Sequence, residues 1–488
     1  MKPPNLESPL EHPDLDTLRQ ALNEMTGWVL KDFVNFPTSK IGKTATRPEM
    51  EKLLREPVPE QGQSLPEVIR QFHEKIAPWT IQSGHPRFLA FVPGGPTLVS
   101  MLGDWLCAAS NFFCGVWLEA AGPTQIEIIV LDWFKSFLGF PAEAGGLLTS
   151  GGSEANLLAL VTARESLTKD QRGRAVLYVS EQRHWSIDRA GRIMGLQPEQ
   201  IRPLAIDTHG RLRVDALADA IEDDKKHGRQ PWVLVANAGA TSTGAVDPLE
   251  KLAELSATHG LWLHIDAAYG WSAVLTEEGR TLMRGIDRAD SITLDPHKWL
   301  AQTFDVGCLL MRDGKKLLET FCVRPEYMQD LEPAAGEVNF ADCGLALTRR
   351  FRALKIWLSL KVLGRDWFRR LVERCFRLAE LAQALLERAG CFEILHPPQL
   401  SVLCFRYVPP GWSATATERE FMLDQLNRKL CAALCQTGQA FLSTTRFQSR
   451  LALRICFVNW RTTAGDVRQV VALLTSLGRS LAVDEKMS

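Results

Sequence analysis

Leu249–Trp271 reads LEKLAELSATHGLWLHIDAAYGW. Its first half spaces Leu249, Leu252 and Leu255 as one face of a helix. Its second half, LWLHIDAA, is an apolar strand that ends on a carboxylate, Asp266. The same alternation recurs on both sides. Upstream lie RAVLYVS (174–180) and PWVLVANAG (231–239), with the helical SEANLLALVTARESL (153–167) before them; downstream lie SITLD (291–295) and VGCLLMR (306–312). Short apolar strands alternating with helices predict an α/β fold, a mostly parallel sheet covered by helices.

The rest of the chain has a different texture. Residues 1–84 are helical and proline-broken, which predicts an arm that packs on something else. Residues 85–365 hold the alternating pattern and form the predicted large domain. Residues 366–488 carry long helices and the strand-like LSVLCFRYV and LALRICFVNW without crossover rhythm, a smaller α+β domain. The 488 residues are 45% hydrophobic and 23% charged with formal net charge −1, so there is no electrostatic footprint for nucleic acid or an anionic membrane. No apolar run approaches the ~20 residues of a membrane helix, and the polar, proline-broken start predicts neither a signal nor an anchor. Eleven cysteines without paired spacing, Cys431 and Cys435 being the closest pair, predict reduced thiols in a cytoplasmic protein.

In an open parallel sheet, ligands sit beyond the carboxyl ends of the strands, and the chemically capable residues fall there. LLTSGGSEANL sets Gly151, Gly152 and Ser153 at a helix start, where free N–H groups and the dipole suit an anion; a tight turn with Ser153 as N-cap reads equally well. His184 follows the strand RAVLYVS and is by itself ambiguous. Asp266, at the end of a buried strand, is costly unless it meets a cation, and a protonated ring nitrogen would serve; Ala268 leaves room for a flat ring. Capping of the next turn is the alternative for Asp266. Lys298 in SITLDPHKWL has apolar residues on both sides and no carboxylate next to it, the setting of a Schiff-base lysine, although a snorkelling lysine at a helix start fits too. An anion cradle, an imidazole, a buried acid and a buried amine together match one ligand, pyridoxal 5′-phosphate, with its phosphate, ring face, ring nitrogen and aldehyde.

The segments HPRFLAF (85–91), TSGGSEANL (149–157), HIDAAYG (264–270), DPHKWL (295–300) and RRFRALKIW (349–357) resemble the pyridoxal-phosphate-dependent group II amino-acid decarboxylases. That family includes the aromatic-L-amino-acid, tyrosine, histidine and glutamate enzymes. The resemblance implies an aspartate-aminotransferase-like (fold type I) architecture and an obligate homodimer. It implies that Gly152, Ser153 and His297 hold the phosphate, His184 stacks on the ring, Thr241 supports the cofactor, and Asp266 pairs with the ring nitrogen above Ala268. Asp295 is a departure, since relatives often have asparagine there and a carboxylate would repel phosphate unless turned away. Tyr327 falls where relatives carry the proton-donating tyrosine of a lid, and phenylalanine there accompanies aldehyde formation. The substrate side would be lined by Phe91, Val92, Pro93, Phe113, Gly115 and His184, with Gly115 opening space for a large flat side chain. Arg87 is the one candidate cation for an acidic substrate, and Thr348 stands where relatives vary with substrate. An aromatic L-amino acid is therefore expected. Glutamate, histidine, diaminobutyrate or aliphatic substrates stay open, as do aldehyde synthase, aminotransferase or carbon–carbon lyase chemistry and a non-catalytic relative.

Overall fold

The computed structural model describes residues 12–92, 94–323, 333–411 and 416–487. A seven-stranded sheet comprises β1 (Gly145–Thr149), β2 (Ala175–Ser180), β3 (Ile201–Leu204), β4 (Gln230–Asn237), β5 (Trp262–Asp266), β6 (Ser291–Leu294) and β7 (Gly307–Met311). The order is β1-β7-β6-β5-β4-β2-β3. Neighbours from β6 through β3 pair in parallel, while β7 is antiparallel to both β6 and β1. The alternating side chains of one strand serve two layers. Ala175, Leu177 and Val179 pack with Leu160, Ala163, Ile187 and Ala190 from helices Gly152–Glu165 and Trp185–Ile193. Val176 and Tyr178 point the other way, into the core shared with helices Val214–Lys226 and Leu249–His259. A strand buried on both faces has to be apolar throughout, which is why these runs do not alternate with polar residues.

The predicted α/β class and all five predicted strands are present. Two strands of this sheet escaped the sequence pattern. β1 is short and begins with two glycines; β3 contains Pro203, tolerable because β3 lies at the sheet edge.

A second, antiparallel sheet holds β8 (Phe392–Gln399), β9 (Val402–Tyr407), β10 (Ser443–Phe447) and β11 (Arg450–Cys456) in the order β10-β11-β9-β8. Helix Ala353–Ala389 runs from the large sheet to this one and breaks at Gly364, whose φ of 76° suits a residue without a Cβ. At the other end of the chain, helix Leu15–Asn35 buries only Ala21 and leaves Leu15, Leu22, Met25, Leu30 and Val34 exposed. Among the described residues no helix is long and apolar enough to cross a membrane.

Register positions the site. Asn237, Asp266 and Thr293 are aligned across β4, β5 and β6, so these three parallel strands end at one level. The start of helix Gly152–Glu165, delivered by β1, lies beside the same ends.

Candidate active site

At these strand ends a cavity of about 350 Å³ is lined by Gly152, Ser153, His184, Thr241, Asp266, Ala268, His297 and Lys298. The structure thus brings together all eight residues expected to contact the cofactor. Positions separated by more than a hundred residues meet because each lies at a strand end or the loop after it.

One pole of the cavity suits an anion. Among the described residues no side chain caps helix Gly152–Glu165, so its first N–H groups are left for a ligand. The approach is close: a Cβ on Gly152 would stand 2.9 Å from Asp295 Oδ2 and 3.2 Å from the Ala268 Cβ. Beside it, His297 Nδ1 donates to the Val306 carbonyl at 2.6 Å, and Nε2 lies 3.7 Å from Asp295 Oδ2. Burial pulls the His297 pKa below the usual histidine value, against the pull of Asp295.

Lys298 departs from expectation in one respect. The turn after β6, closed by Lys298 N–H donating to the Asp295 carbonyl at 3.0 Å, brings Asp295 Oδ2 to 3.1 Å from Nζ. A carboxylate therefore does face the amine, three residues back in sequence, because the Pro296 turn folds the chain onto itself. The other oxygen, Asp295 Oδ1, is buried without a hydrogen-bond partner among the described residues. Behind Lys298, the rings of Trp299 and Tyr269 stack with centroids 5.1 Å apart and close the floor.

Across the cavity, Asp266 is 8% exposed, and among the described residues no lysine or arginine pairs with it. Its Oδ1 accepts from the Ala268 N–H at 3.2 Å and its Oδ2 from Asn156 Nδ2 at 3.0 Å. A buried carboxylate stabilised by N–H donors yet lacking a cation is a site for a protonated ring nitrogen. His184 caps helix Trp185–Ile193: its Nδ1 meets the Ser186 N–H at 3.2 Å and the Ser186 hydroxyl at 2.8 Å. Burial lowers its pKa, so the ring is neutral. An uncapped helix start, an unpaired buried acid and an amine within one cavity fit pyridoxal phosphate on chemistry alone.

Asn156, Asn237 and Tyr269 also line the cavity, and the sequence pattern does not single them out. Asn156 lies one helical turn beyond Gly152, the spacing that could have found it. Arg454 is a further residue without a mark in the sequence. From β11 its Nε donates to the Thr241 carbonyl at 2.8 Å and its Nη1 to the Phe91 carbonyl at 2.7 Å, tying the small sheet to the cavity wall.

The residues expected on the substrate side are placed differently. Phe91, Val92, Phe113 and Gly115 do not line this cavity, and Pro93 and Tyr327 lie outside the described residues. Gly115 opens no space within its own chain. A Cβ there would meet the Phe113 ring at 2.7 Å and the Leu347 carbonyl at 2.8 Å. Arg87 is committed elsewhere, to Asp466 at 2.9 Å and to the Gln439 and Pro37 carbonyls. Thr348 is also absent from the lining.

Comparison with known proteins agrees with this geometry. Residues 48–408 match the model of the pyridoxal-dependent decarboxylase conserved domain. The chain is 40% identical over 469 residues to an aromatic-L-amino-acid decarboxylase of Bacillus atrophaeus, covering 96% of this chain and 97% of that one. It is 32% identical to a phenylacetaldehyde synthase of Arabidopsis thaliana, covering 83% and 84%. Among solved structures, Catharanthus roseus tryptophan decarboxylase in complex with L-tryptophan superposes with a TM-score of 0.88 at 28% identity, covering 97% of this chain and 100% of that one. Oryza sativa TDC with PLP and tryptamine gives 0.90 at 26% identity, covering 97% and 99%. With an amine, an acid and an anion cradle converging in one cavity of that fold, the chain belongs to the pyridoxal-dependent decarboxylases and is a carboxy-lyase that uses pyridoxal 5′-phosphate.

Proposed function

We propose that this enzyme decarboxylates aromatic L-amino acids to their amines, working as a cytoplasmic homodimer. The observation that carries the substrate class is Arg87: the one cation the sequence offered for an acidic substrate is committed to Asp466 and to the Gln439 and Pro37 carbonyls. A distal carboxylate, as in glutamate, would be left without it, and an uncompensated buried charge is costly. The relatives named for tyrosine, tryptophan and aromatic amino acids support the same reading.

Pyridoxal phosphate, when bound, supplies an electron-poor ring that accepts the electron pair left as carbon dioxide departs. The protein's residues prepare that chemistry. Gly152, Ser153 and His297 would hold the phosphate, and Thr241 and Ala268 would flank the ring. Asp266 would keep a proton on the ring nitrogen, since two N–H donors orient its carboxylate and, among the described residues, no lysine or arginine competes for it. His184 would cover the ring and Lys298 would supply the amine for covalent attachment. Tyr327 would return a proton to the α-carbon. Phe91, Val92, Pro93, Phe113 and Gly115 are assigned to the substrate side from the family resemblance.

Exposed apolar surface supports the dimer. Met25, Val29, Leu30, Leu98, Met101, Leu102 and Trp105 line a groove between the arm and helix Leu98–Ser110, and such surface calls for a partner. Eleven free cysteines support a reducing compartment. The test is direct: purified enzyme loaded with cofactor is incubated with single amino acids, and carbon dioxide and amine are quantified. Turnover of tyrosine, tryptophan or phenylalanine is expected to exceed that of glutamate by a hundredfold or more on about 3 kcal/mol of unpaired-charge cost. Preferential turnover of glutamate would overturn the substrate assignment.

A further inference from the structure

A chain of mostly buried polar groups leads from Trp262 to two residues given roles above, Asp266 and His184. Trp262 Nε1 donates to Ser291 Oγ at 2.9 Å, and Ser291 Oγ lies 2.8 Å from His264 Nδ1. His264 Nε2 lies 3.0 Å from Asn156 Oδ1. Asn156 Nδ2 then serves two acceptors, Asp266 Oδ2 at 3.0 Å and Ser186 Oγ at 2.9 Å. Ser186 Oγ reaches His184 Nδ1 at 2.8 Å.

Donor and acceptor counting fixes every proton in this chain. Asn156 Nδ2 spends both hydrogens on Ser186 and Asp266, so its Oδ1 must accept, and His264 must donate from Nε2. His264 is fully buried, and burial pushes its pKa down to about 4, so it is neutral and its Nδ1 is an acceptor. Ser291 therefore donates to it and accepts from Trp262. On the other branch, Ser186 Oγ accepts from Asn156 and lies against His184 Nδ1, which also accepts the Ser186 N–H at 3.2 Å and therefore leaves Nε2 as the protonated nitrogen of His184. One amide thus ties the residue assigned to the ring nitrogen to the residue assigned to the ring face.

We infer that Asn156 is a positioning residue for both Asp266 and His184, aiming the carboxylate of the first through Nδ2 and holding the ring of the second in place through the Ser186 hydroxyl. His264 in turn locks the Asn156 amide against flipping. The inference rests on the cofactor-contact roles given to Asp266 and His184.

The test uses the full-length holoenzyme. Asn156→Leu keeps the volume and removes every polar contact. Loss of one charged-acceptor hydrogen bond is expected to speed cofactor release by about tenfold to hundredfold, and to shift the pH titration of the bound cofactor's visible absorbance. A second pair guards against misfolding: His264→Gln retains an N–H for Asn156 Oδ1 and is expected to stay within about threefold of the parent, whereas His264→Leu is expected to loosen the cofactor by about tenfold. The inference is overturned if Asn156→Leu leaves release rate and absorbance titration unchanged, or if the two His264 variants behave alike. Asp266→Asn is the reference. If that change itself leaves the cofactor undisturbed, the role of Asp266 fails; if it loosens the cofactor and Asn156→Leu does not, only this inference fails.

Discussion

Arg349→Met should destabilise the enzyme by stranding a buried charge, with little change in packing. Arg349 and Glu127 form an ion pair with both side chains 3% exposed. Glu127 Oε1 also accepts the Leu148 N–H at 2.8 Å, which anchors β1 just before the anion cradle. Methionine fills most of the volume but leaves Glu127 as an unpaired buried carboxylate, at about 3–5 kcal/mol. Unfolding entropy for 488 residues is about 1 kcal/mol per kelvin, so the thermal midpoint should fall by roughly 3–5 °C. Adding Glu127→Gln removes the charge while keeping an oxygen for Leu148, and should restore more than half of the loss. Calorimetry at fixed excess cofactor, so that ligand binding does not vary between variants, reads both. A double variant no better than the single one would refute the desolvation argument.

Two further outcomes are expected. Asp295→Asn removes the carboxylate 3.1 Å from Lys298 Nζ; cofactor retention, followed by dialysis, should tighten by about tenfold or more, while the cofactor-free protein melts earlier for want of its ion pair. Tyr327→Phe should lower amine output by about tenfold to a hundredfold by removing a general acid and raise aldehyde, ammonia and peroxide at the expense of dioxygen; an unchanged product ratio by chromatography would remove Tyr327 from the proton-transfer step.

Much of the fold and half of the site were legible because burial and strand ends leave marks in sequence. β2, β4, β5, β6 and β7 announce themselves as apolar runs, and Asp266, Lys298 and His184 stand out as polar groups where such runs stop. β1 and β3 leave weaker marks: glycines at one and an edge proline at the other mimic turn chemistry. The pairing of Asp295 with Lys298 is hidden from a linear reading, because a turn makes neighbours in space of residues three apart in the chain. Asn156 carries only its spacing from Gly152. Its neighbours Asp266 and His264 come from a strand more than a hundred residues away, and pairing across that separation has no local signature. The space that Gly115 leaves is not legible in sequence at all, since it depends on surroundings, here the ring of Phe113.

The two acids of the cavity show how environment divides labour between like groups. Asp266 has two N–H donors and, among the described residues, no lysine or arginine; its charge is supported by dipoles that stay in place whatever occupies the cavity. Asp295 relies on the ammonium of Lys298 and carries an oxygen with no hydrogen-bond partner among the described residues. With the proposed roles, covalent attachment would draw the Lys298 nitrogen into a bond with the cofactor, and a phosphate at the neighbouring helix start would add negative charge beside the same carboxylate. Loading the cofactor would therefore suit Asp266 and burden Asp295. Asparagine at position 295 would avoid the burden, whereas asparagine at position 266 would remove the acid proposed to face the ring nitrogen.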